Sequence, residues 1–296
     1  MYQIITDGSC DLGEKVTKEA GVKVVPFYVS TDTKEYKKEI EELEVRSFYQ
    51  FMVDHPKVFP KTSLPSVEDY MNAFEPYLKE KKDIICICIT TKFSGSYNSA
   101  VNAKEILLET YPEANIAVVD ATVNTVLQGL LVLEAVKLQK KGASFDEVLT
   151  RIDEIKGSGR IFFTIGSMDY LVHGGRVGKL TGLAASKLGI RPIIVLKEGE
   201  IFPSGIARGR KRSKEKVMNE MLEYLKELNL HPDQCVITVG YGYDFEEAME
   251  FRQEAMEALK VQYPDMTGEI SIYQIGATIG VHTGPHPIGF GVLKKA

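Results

Sequence analysis

The chain has no tryptophan, only four cysteines and five histidines among its 296 residues, and no long uninterrupted apolar run. Each shortage removes a class of protein. The cysteines (Cys10, Cys86, Cys88, Cys235) are too few and too scattered for a disulfide framework. Cys86 and Cys88 stand two apart in an apolar segment, so both face one side of an expected buried strand, where a thiol packs as a small apolar group. No apolar segment approaches the roughly 20 residues of a membrane-spanning helix. The N-terminus shows no basic start followed by an apolar stretch, so no leader is expected and the cytoplasm is the expected location. Positive charge is not in excess either. The formal net charge of -5 argues against general nucleic-acid binding.

Several catalytic motifs are also missing. No Gly-x-x-x-x-Gly-Lys-Ser/Thr phosphate loop occurs, so a self-contained ATP-binding kinase is not expected. Gly240-Tyr241-Gly242 lacks the third glycine of the dinucleotide fingerprint, because position 245 is Phe. A nucleophile elbow needs Gly-x-Ser-x-Gly, whereas position 92, before Ser94, is Lys, and Ser96 has no following glycine at the second position. His282 and His286 are four apart, but Gly284, Pro285 and Pro287 preclude one regular helix, and Thr283 stands where a zincin has Glu. No metal site is expected.

What is present points to an α/β protein. The length exceeds one ordinary domain, and 44% hydrophobic with 26% charged residues suits a soluble globular chain. The first half alternates short apolar runs (Tyr2–Thr6, Val22–Val29, Ile84–Ile89, Asn115–Val119) with helical spacing (Val45–Val53, Tyr97–Leu108, Asn124–Lys140, Phe145–Ile155). Ser66, with Asp69 three residues on, predicts the N-cap of a further helix reaching about Leu78. Runs without polar alternation, separated by helices, predict a parallel sheet covered on both faces. Lys156-Gly157-Ser158-Gly159 is the candidate boundary between a parallel-sheet domain, residues 1–157, and a second domain, residues 158–296. The second half opens on strand Ile161–Ile165 and a Gly-rich stretch at 173–178. Arg191–Leu196 and Glu200–Ile206 flank a predicted hairpin turn. Strands over Cys235–Val239, Glu269–Ile275 and Ile288–Leu293, with helices over Lys214–Leu228 and Phe245–Lys260, predict a mixed sheet.

Three segments place hydroxyls beside glycine or proline at expected strand-to-helix junctions: Lys61-Thr62-Ser63-Leu64-Pro65-Ser66, Phe93-Ser94-Gly95-Ser96-Tyr97 and Val281-His282-Thr283-Gly284-Pro285. Such junctions expose backbone N–H groups and the positive end of a helix dipole, which suit an anion. The residues alone leave other readings open. Thr62 and Ser94 also fit helix caps or loop turns. A serine hydrolase or phosphatase using Ser94 needs an oriented base, for which His282, His173 and Asp120 are the candidates. Arg176 fits either a surface ion pair or a phosphate contact. Asp7, just past the first strand, fits a ligand-side position or a structural turn.

Taken in order, these segments resemble the DegV family. Thr6-Asp7-Gly8-Ser9-Cys10-Asp11-Leu12 is similar to its opening Thr-Asp-Ser-x-x-Asp-Leu. Lys61–Ser66 is similar to its Thr-Ser-Gln-Pro-Ser segment, with Leu64 in place of Gln, and Phe93–Ala100 resembles Leu-Ser-Gly-Thr-Tyr-x-Ser-Ala. Gly174-Gly175-Arg176-Val177 and His282-Thr283-Gly284-Pro285 match two further signatures, although His286 and Pro287 replace a usual Gly and small residue. The resemblance covers essentially the whole chain. It implies the two-domain, DegV-like EDD-type fold and a monomeric carrier without catalysis or cofactor of its own. A long-chain fatty acid would lie between the domains. Its carboxylate would be presented to a separate fatty acid kinase subunit, and the acyl phosphate would feed phospholipid synthesis through an acyltransferase. By the same resemblance Thr62 and Ser94 contact the carboxylate with the Gly95 backbone beside them, with Ser63 and Asp7 as further candidates. Arg176, His282 and Thr283 would line the mouth where phosphate arrives. The basic run Arg208–Lys214 is then either a solvated face or a docking surface for the kinase subunit.

Overall fold

The computed structural model describes residues 1–32, 34–183 and 189–296. The first half runs β1 (Tyr2–Asp7), α1 (Gly13–Ala20), β2 (Lys23–Val25), β3 (Tyr28–Ser30), β4 (Lys37–Lys38), α2 (Val45–Asp54), β5 (Lys61–Ser63), α3 (Val67–Lys79), β6 (Asp83–Cys88), α4 (Ser96–Thr110), β7 (Ile116–Asp120), α5 (Thr125–Lys140) and α6 (Phe145–Lys156). The second half runs β8 (Arg160–Thr164), α7 (Asp169–His173), β9 (Ile190–Lys197), β10 (Glu200–Arg208), α8 (Arg210–Glu227), β11 (Cys235–Tyr241), α9 (Phe245–Gln262), β12 (Ser271–Gln274), α10 (Ala277–Thr283) and β13 (Ile288–Lys294).

Two large sheets organise the molecule. The first is four-stranded and parallel, in the order β2-β1-β6-β7. The second is six-stranded and mixed, in the order β10-β9-β8-β13-β11-β12. Helices α3 and α4 pack with one face of the parallel sheet, and α8 and α9 with the outer face of the mixed sheet. Between the sheets lies α5. Its apolar residues surround it rather than forming a stripe, and this is what a helix covered on all sides requires. One core cluster runs from Ile4, Ile85 and Ile87 of the parallel sheet through Leu127 and Leu131 to Ile161, Ile194 and Leu196 of the mixed sheet.

The expected α/β architecture with one parallel and one mixed sheet is therefore present, and two details differ. The apolar run Val22–Val29 is two strands, not one. Pro26 has no N–H for a ladder, so the chain leaves the parallel sheet after Val25 and re-enters a small antiparallel sheet, β4-β3-β5. Thr62 consequently sits on strand β5, and the Lys61–Ser66 segment runs from that strand to Ser66, the N-cap of α3, as the expected junction. The Val281–Pro285 segment is not a strand-to-helix junction. His282 and Thr283 are the last residues of α10, which ends on Gly284 in the left-handed region at φ 76°. Ser94-Gly95-Ser96 leads into the N-terminus of α4, as Lys61–Ser66 leads into that of α3.

Other local signals formed as the residues dictate. The Ser66 hydroxyl accepts the Asp69 N–H at 3.1 Å, and the Asp69 carboxylate accepts the Ser66 N–H at 2.8 Å. The β9–β10 hairpin turns on Glu198 and Gly199 at φ 53° and 83°, the left-handed pair that a two-residue hairpin loop needs. Cys86 and Cys88 share one buried face of β6, with their sulfurs 3.6 Å apart.

Candidate functional site

A cavity of about 250 Å³ opens between the sheets beside the N-terminal turn of α5. A buried water needs on the order of 10–15 Å³ on this measure, so the space far exceeds a solvent pocket. Its walls are mainly apolar, with Ile89, Val126, Phe163, Ile275 and Ile288 among them. Polar groups collect at one end, where Thr62, Ser94, Arg176 and His282 all line the space.

Each reaches that end by a different route. Strand β5 pairs with β3 in the register Val29↔Thr62, which fixes the Thr62 side chain beside the end of α10. The Thr62 hydroxyl lies 3.3 Å from His282 Nε2. Ser94 ends the loop from β6 to α4. The Phe93 and Ser94 N–H groups donate to the Thr90 carbonyl at 3.1 and 3.4 Å. The Ser94 hydroxyl accepts the first helical N–H, that of Ser96, at 3.1 Å, and keeps its own proton available to donate. Arg176 spans the mouth. Its Nη1 donates to the Gly174 carbonyl at 2.7 Å and its Nε to the Phe93 carbonyl at 3.2 Å, tying the Gly-rich turn to the Ser94 loop.

His282 is neutral at physiological pH. Its pKa is lowered to about 4, first by burial and then by the Arg176 guanidinium nearby. Its Nδ1 is buried without a hydrogen-bond partner among the described residues. A Cβ on Gly174 would lie 2.1 Å from that nitrogen, so the glycine is what lets the imidazole sit there. A neutral ring carries one N–H, so Nε2 can meet either a donor or an acceptor in the mouth.

The remaining expected residues divide. Ser63 lines the rim and is exposed. Thr283 lines the cavity, but its hydroxyl donates back to the Ile279 carbonyl at 3.2 Å. Gly95 stands behind Leu64, whose Cδ2 lies 3.4 Å from where a Cβ would be. Leu64 itself lines the cavity and is 39% exposed. Asp7 does not line the cavity. It is fully buried and accepts from the Ser9 hydroxyl (2.6 Å), Gln128 Nε2 (2.9 Å), the Ile89 N–H (2.9 Å) and the Ser96 hydroxyl (2.9 Å). Asp7 thus holds both ends of the loop that carries Ser94. Burial raises its pKa, and these four donors oppose that rise.

None of the three candidate bases is hydrogen-bonded to the Ser94 hydroxyl among the described residues. His282 approaches Thr62, His173 Nδ1 lies 2.8 Å from the Asp169 carbonyl, and the Asp120 carboxylate accepts from Thr91 and Thr122. Part of the basic run is likewise occupied. Arg210 forms a two-point bond to the Glu247 carboxylate and a bond to the His286 carbonyl at 2.9 Å, with Lys214 3.8 Å from Glu247.

Sequence reasoning did not assign to the site three glycines that line the cavity, Gly240, which it read only as part of an incomplete dinucleotide fingerprint, and Gly289 and Gly291, which it did not single out. Their signal was glycine repeated within strands, Gly240 at the end of one and Gly289-Phe290-Gly291 inside another. There a missing side chain marks close approach or empty space.

Known proteins share this arrangement. The crystal structure of a stearic-acid-binding protein from Eubacterium ventriosum superposes with a TM-score of 0.93 at 44% identity, covering 100% of this chain and 99% of that one. A DegV family protein from Thermus thermophilus, described for its fatty acid binding, superposes at 0.86 with 26% identity over 99% of both chains. A DegV domain-containing protein of Clostridium perfringens is 31% identical over 285 residues, 96% of this chain and 94% of that protein. The family model described as "Uncharacterised protein, DegV family" matches residues 1–295, so the chain belongs to the DegV family.

Proposed function

We propose that this protein binds a long-chain fatty acid in the cavity between its sheets and acts as a carrier without catalysis of its own. The observation that carries the reading is the polarity of the space: an apolar channel with neutral hydroxyls at one end. The tail supplies most of the affinity. Each methylene removed from water contributes about 0.8 kcal/mol, on the order of 10 kcal/mol for a long chain before ordering costs. The head needs only orientation. Thr62 and Ser94 donate to the carboxylate, with the Gly95 backbone beside them and the N-terminus of α4 behind. Arg176 adds the one formal positive charge at the mouth among the residues named above. In this reading residues 1–157 and 158–296 are the two halves between which the ligand lies.

The same geometry supports presentation of the carboxylate to a separate fatty acid kinase subunit. His282, held neutral, and Arg176 would meet the incoming phosphoryl group, with Thr283 and Ser63 at the rim. The acyl phosphate would then pass to an acyltransferase for phospholipid synthesis. We place this carrier in the cytoplasm as a monomer.

The test begins with mass spectrometry of whatever is extracted from the denatured protein, where a straight-chain acid is expected. Thr62→Ala and Ser94→Ala should each weaken fatty acid binding about tenfold, one lost hydrogen bond to a charged group, with unchanged melting. Phosphorylation by the partner should fall at least as much. Binding and phosphorylation both unaltered would remove these hydroxyls from the site.

A further inference from the structure

The three glycines on the cavity wall are not scattered. On the mixed sheet, Gly240 pairs directly with Gly289 across β11 and β13, and Gly289 pairs with Phe163 on β8. Two residues further along β13, Gly291 pairs with Ile161, Ile161 with Leu196, and Leu196 with Ile201. These are two parallel rows of side chains on the same inner face, about 7 Å apart along the strand. Strand β13 begins shortly after the helix end that carries His282, so the Gly289 row is nearer the mouth and the Gly291 row is deeper. Gly291, Ile161, Leu196 and Ile201 all line the cavity, whereas the next inward position, Leu293, is buried in the core and does not. The channel therefore ends against the Gly291 row. A Cβ on Gly291 would lie 3.2 Å from Thr238 Cγ2 on the paired strand β11 and 3.3 Å from Leu127 Cδ1 on α5, a tight fit that a methyl group meets only if those side chains give by tenths of an ångström.

We propose that Gly291 sets the maximum tail length, as the side-chain-free position that lets the terminal methylenes of a straight-chain acid reach the second row. This rests on the fatty acid reading and adds a specificity residue to it. Gly289 is not the gauge. Its Cβ would stand 2.2 Å from the Phe162 carbonyl oxygen, so that glycine answers to strand pairing rather than to the ligand. The prediction is about selectivity, not overall affinity. A methyl group on Gly291 should exclude the last carbons of a long tail and leave a shorter one untouched.

The experiment measures dissociation constants of dodecanoic, hexadecanoic and octadecanoic acids for the delipidated wild type and Gly291→Ala. The ratio of octadecanoic to dodecanoic affinity should fall on the order of tenfold, as for a tail one or two methylenes too long for its pocket. Leu127→Ala removes the core side chain of α5 that stands beside Gly291, makes room next to that row and should shift the preference towards the longer acid. It keeps the question open to an answer should Gly291→Ala not fold. Equal losses at every chain length, or unchanged ratios in both variants, would overturn the assignment. If the wild type binds none of the three acids, the fatty acid reading itself fails, an outcome distinct from either.

Discussion

Replacing Gly129 by alanine is expected to destabilise the protein by about 3 kcal/mol, although alanine is the better helix former. In an exposed helix the change would gain about 1 kcal/mol. Gly129 lies in the middle of α5 where it crosses the turn after β1. A Cβ there would stand 2.4 Å from the Cys10 carbonyl oxygen and 2.7 Å from Leu12 Cγ and Cδ2. The first of these is backbone and cannot rotate away. Moving the turn also disturbs its neighbour Gln128, whose Oε1 lies 2.7 Å from the Ser9 hydroxyl oxygen and whose Nε2 donates to Asp7 at 2.9 Å. Overpacking costs roughly 1–3 kcal/mol, and loosening buried hydrogen bonds adds about 1 kcal/mol each. The clash therefore outweighs the propensity gain. Urea denaturation should show a lower midpoint with an unchanged slope, and a neutral result would mean the crossing has slack that these distances do not show.

Stability should also fall as the solution becomes more alkaline, through Glu39. This carboxyl is 1% exposed and faces the start of α10. It accepts the Thr278 N–H at 2.9 Å and the Thr278 hydroxyl. The position a Cβ would take on Gly276 is 2.6 Å from Glu39 Oε1 and 2.4 Å from Asp11 Oδ1, so two acids bracket one residue. Burial raises the pKa of Glu39 from 4.5 to about 7 against the pull of its donors, and Asp7 adds a smaller push. Asp11 is raised in the same direction, first by burial and then by Glu39. The Tyr49 hydroxyl, also buried here, is pushed up by burial and by both acids. Because the folded chain holds the proton more tightly than the unfolded one, the stabilisation is complete below about pH 4.5. It is lost as pH rises through about 7. The span corresponds to about 3 kcal/mol. Glu39→Gln keeps an acceptor for the Thr278 N–H and offers a donor to its hydroxyl. The variant should therefore lack this decline and exceed the wild type at pH 8. Parallel stability curves for the two proteins between pH 5 and 8 would refute the argument.

Much of the architecture was legible because its signals are local. The Ser66–Asp69 capping box, the hairpin at Glu198-Gly199 and the helical spacing of α5 each follow from neighbours in sequence. The Ser94 and His282 segments stood out locally as hydroxyl-bearing junctions, but their joint role with Thr62 and Arg176 came only by resemblance, since nothing local brings Thr62 within reach of a histidine 220 positions away. Three things were hidden for physical reasons. Pro26 splits one apolar run between two sheets, and composition does not show which strand each part joins. Glu39 lies among Lys37, Lys38, Glu41 and Glu42, a sequence that reads as a solvated charge run although one member turns inward. Gly240 was weighed as an incomplete nucleotide fingerprint, while its use is to leave a sheet face hollow.

The helix shared by the two sheets decides how any occupant leaves the cavity. Drawing the sheets apart would bare α5 on both flanks. Large aliphatic side chains such as Leu127, Leu131 and Val132, each with none of its surface exposed, would meet water at roughly 1.5–3 kcal/mol apiece. A few such residues consume a typical stability of about 5–15 kcal/mol. Exchange must therefore proceed through the short pieces at the rim, namely strand β5 with its three residues, the Phe93–Gly95 loop and the turn at Gly174–Arg176. Residence time is then governed by local fraying of those segments, and it can be long or short without any change in how firmly the whole protein is folded.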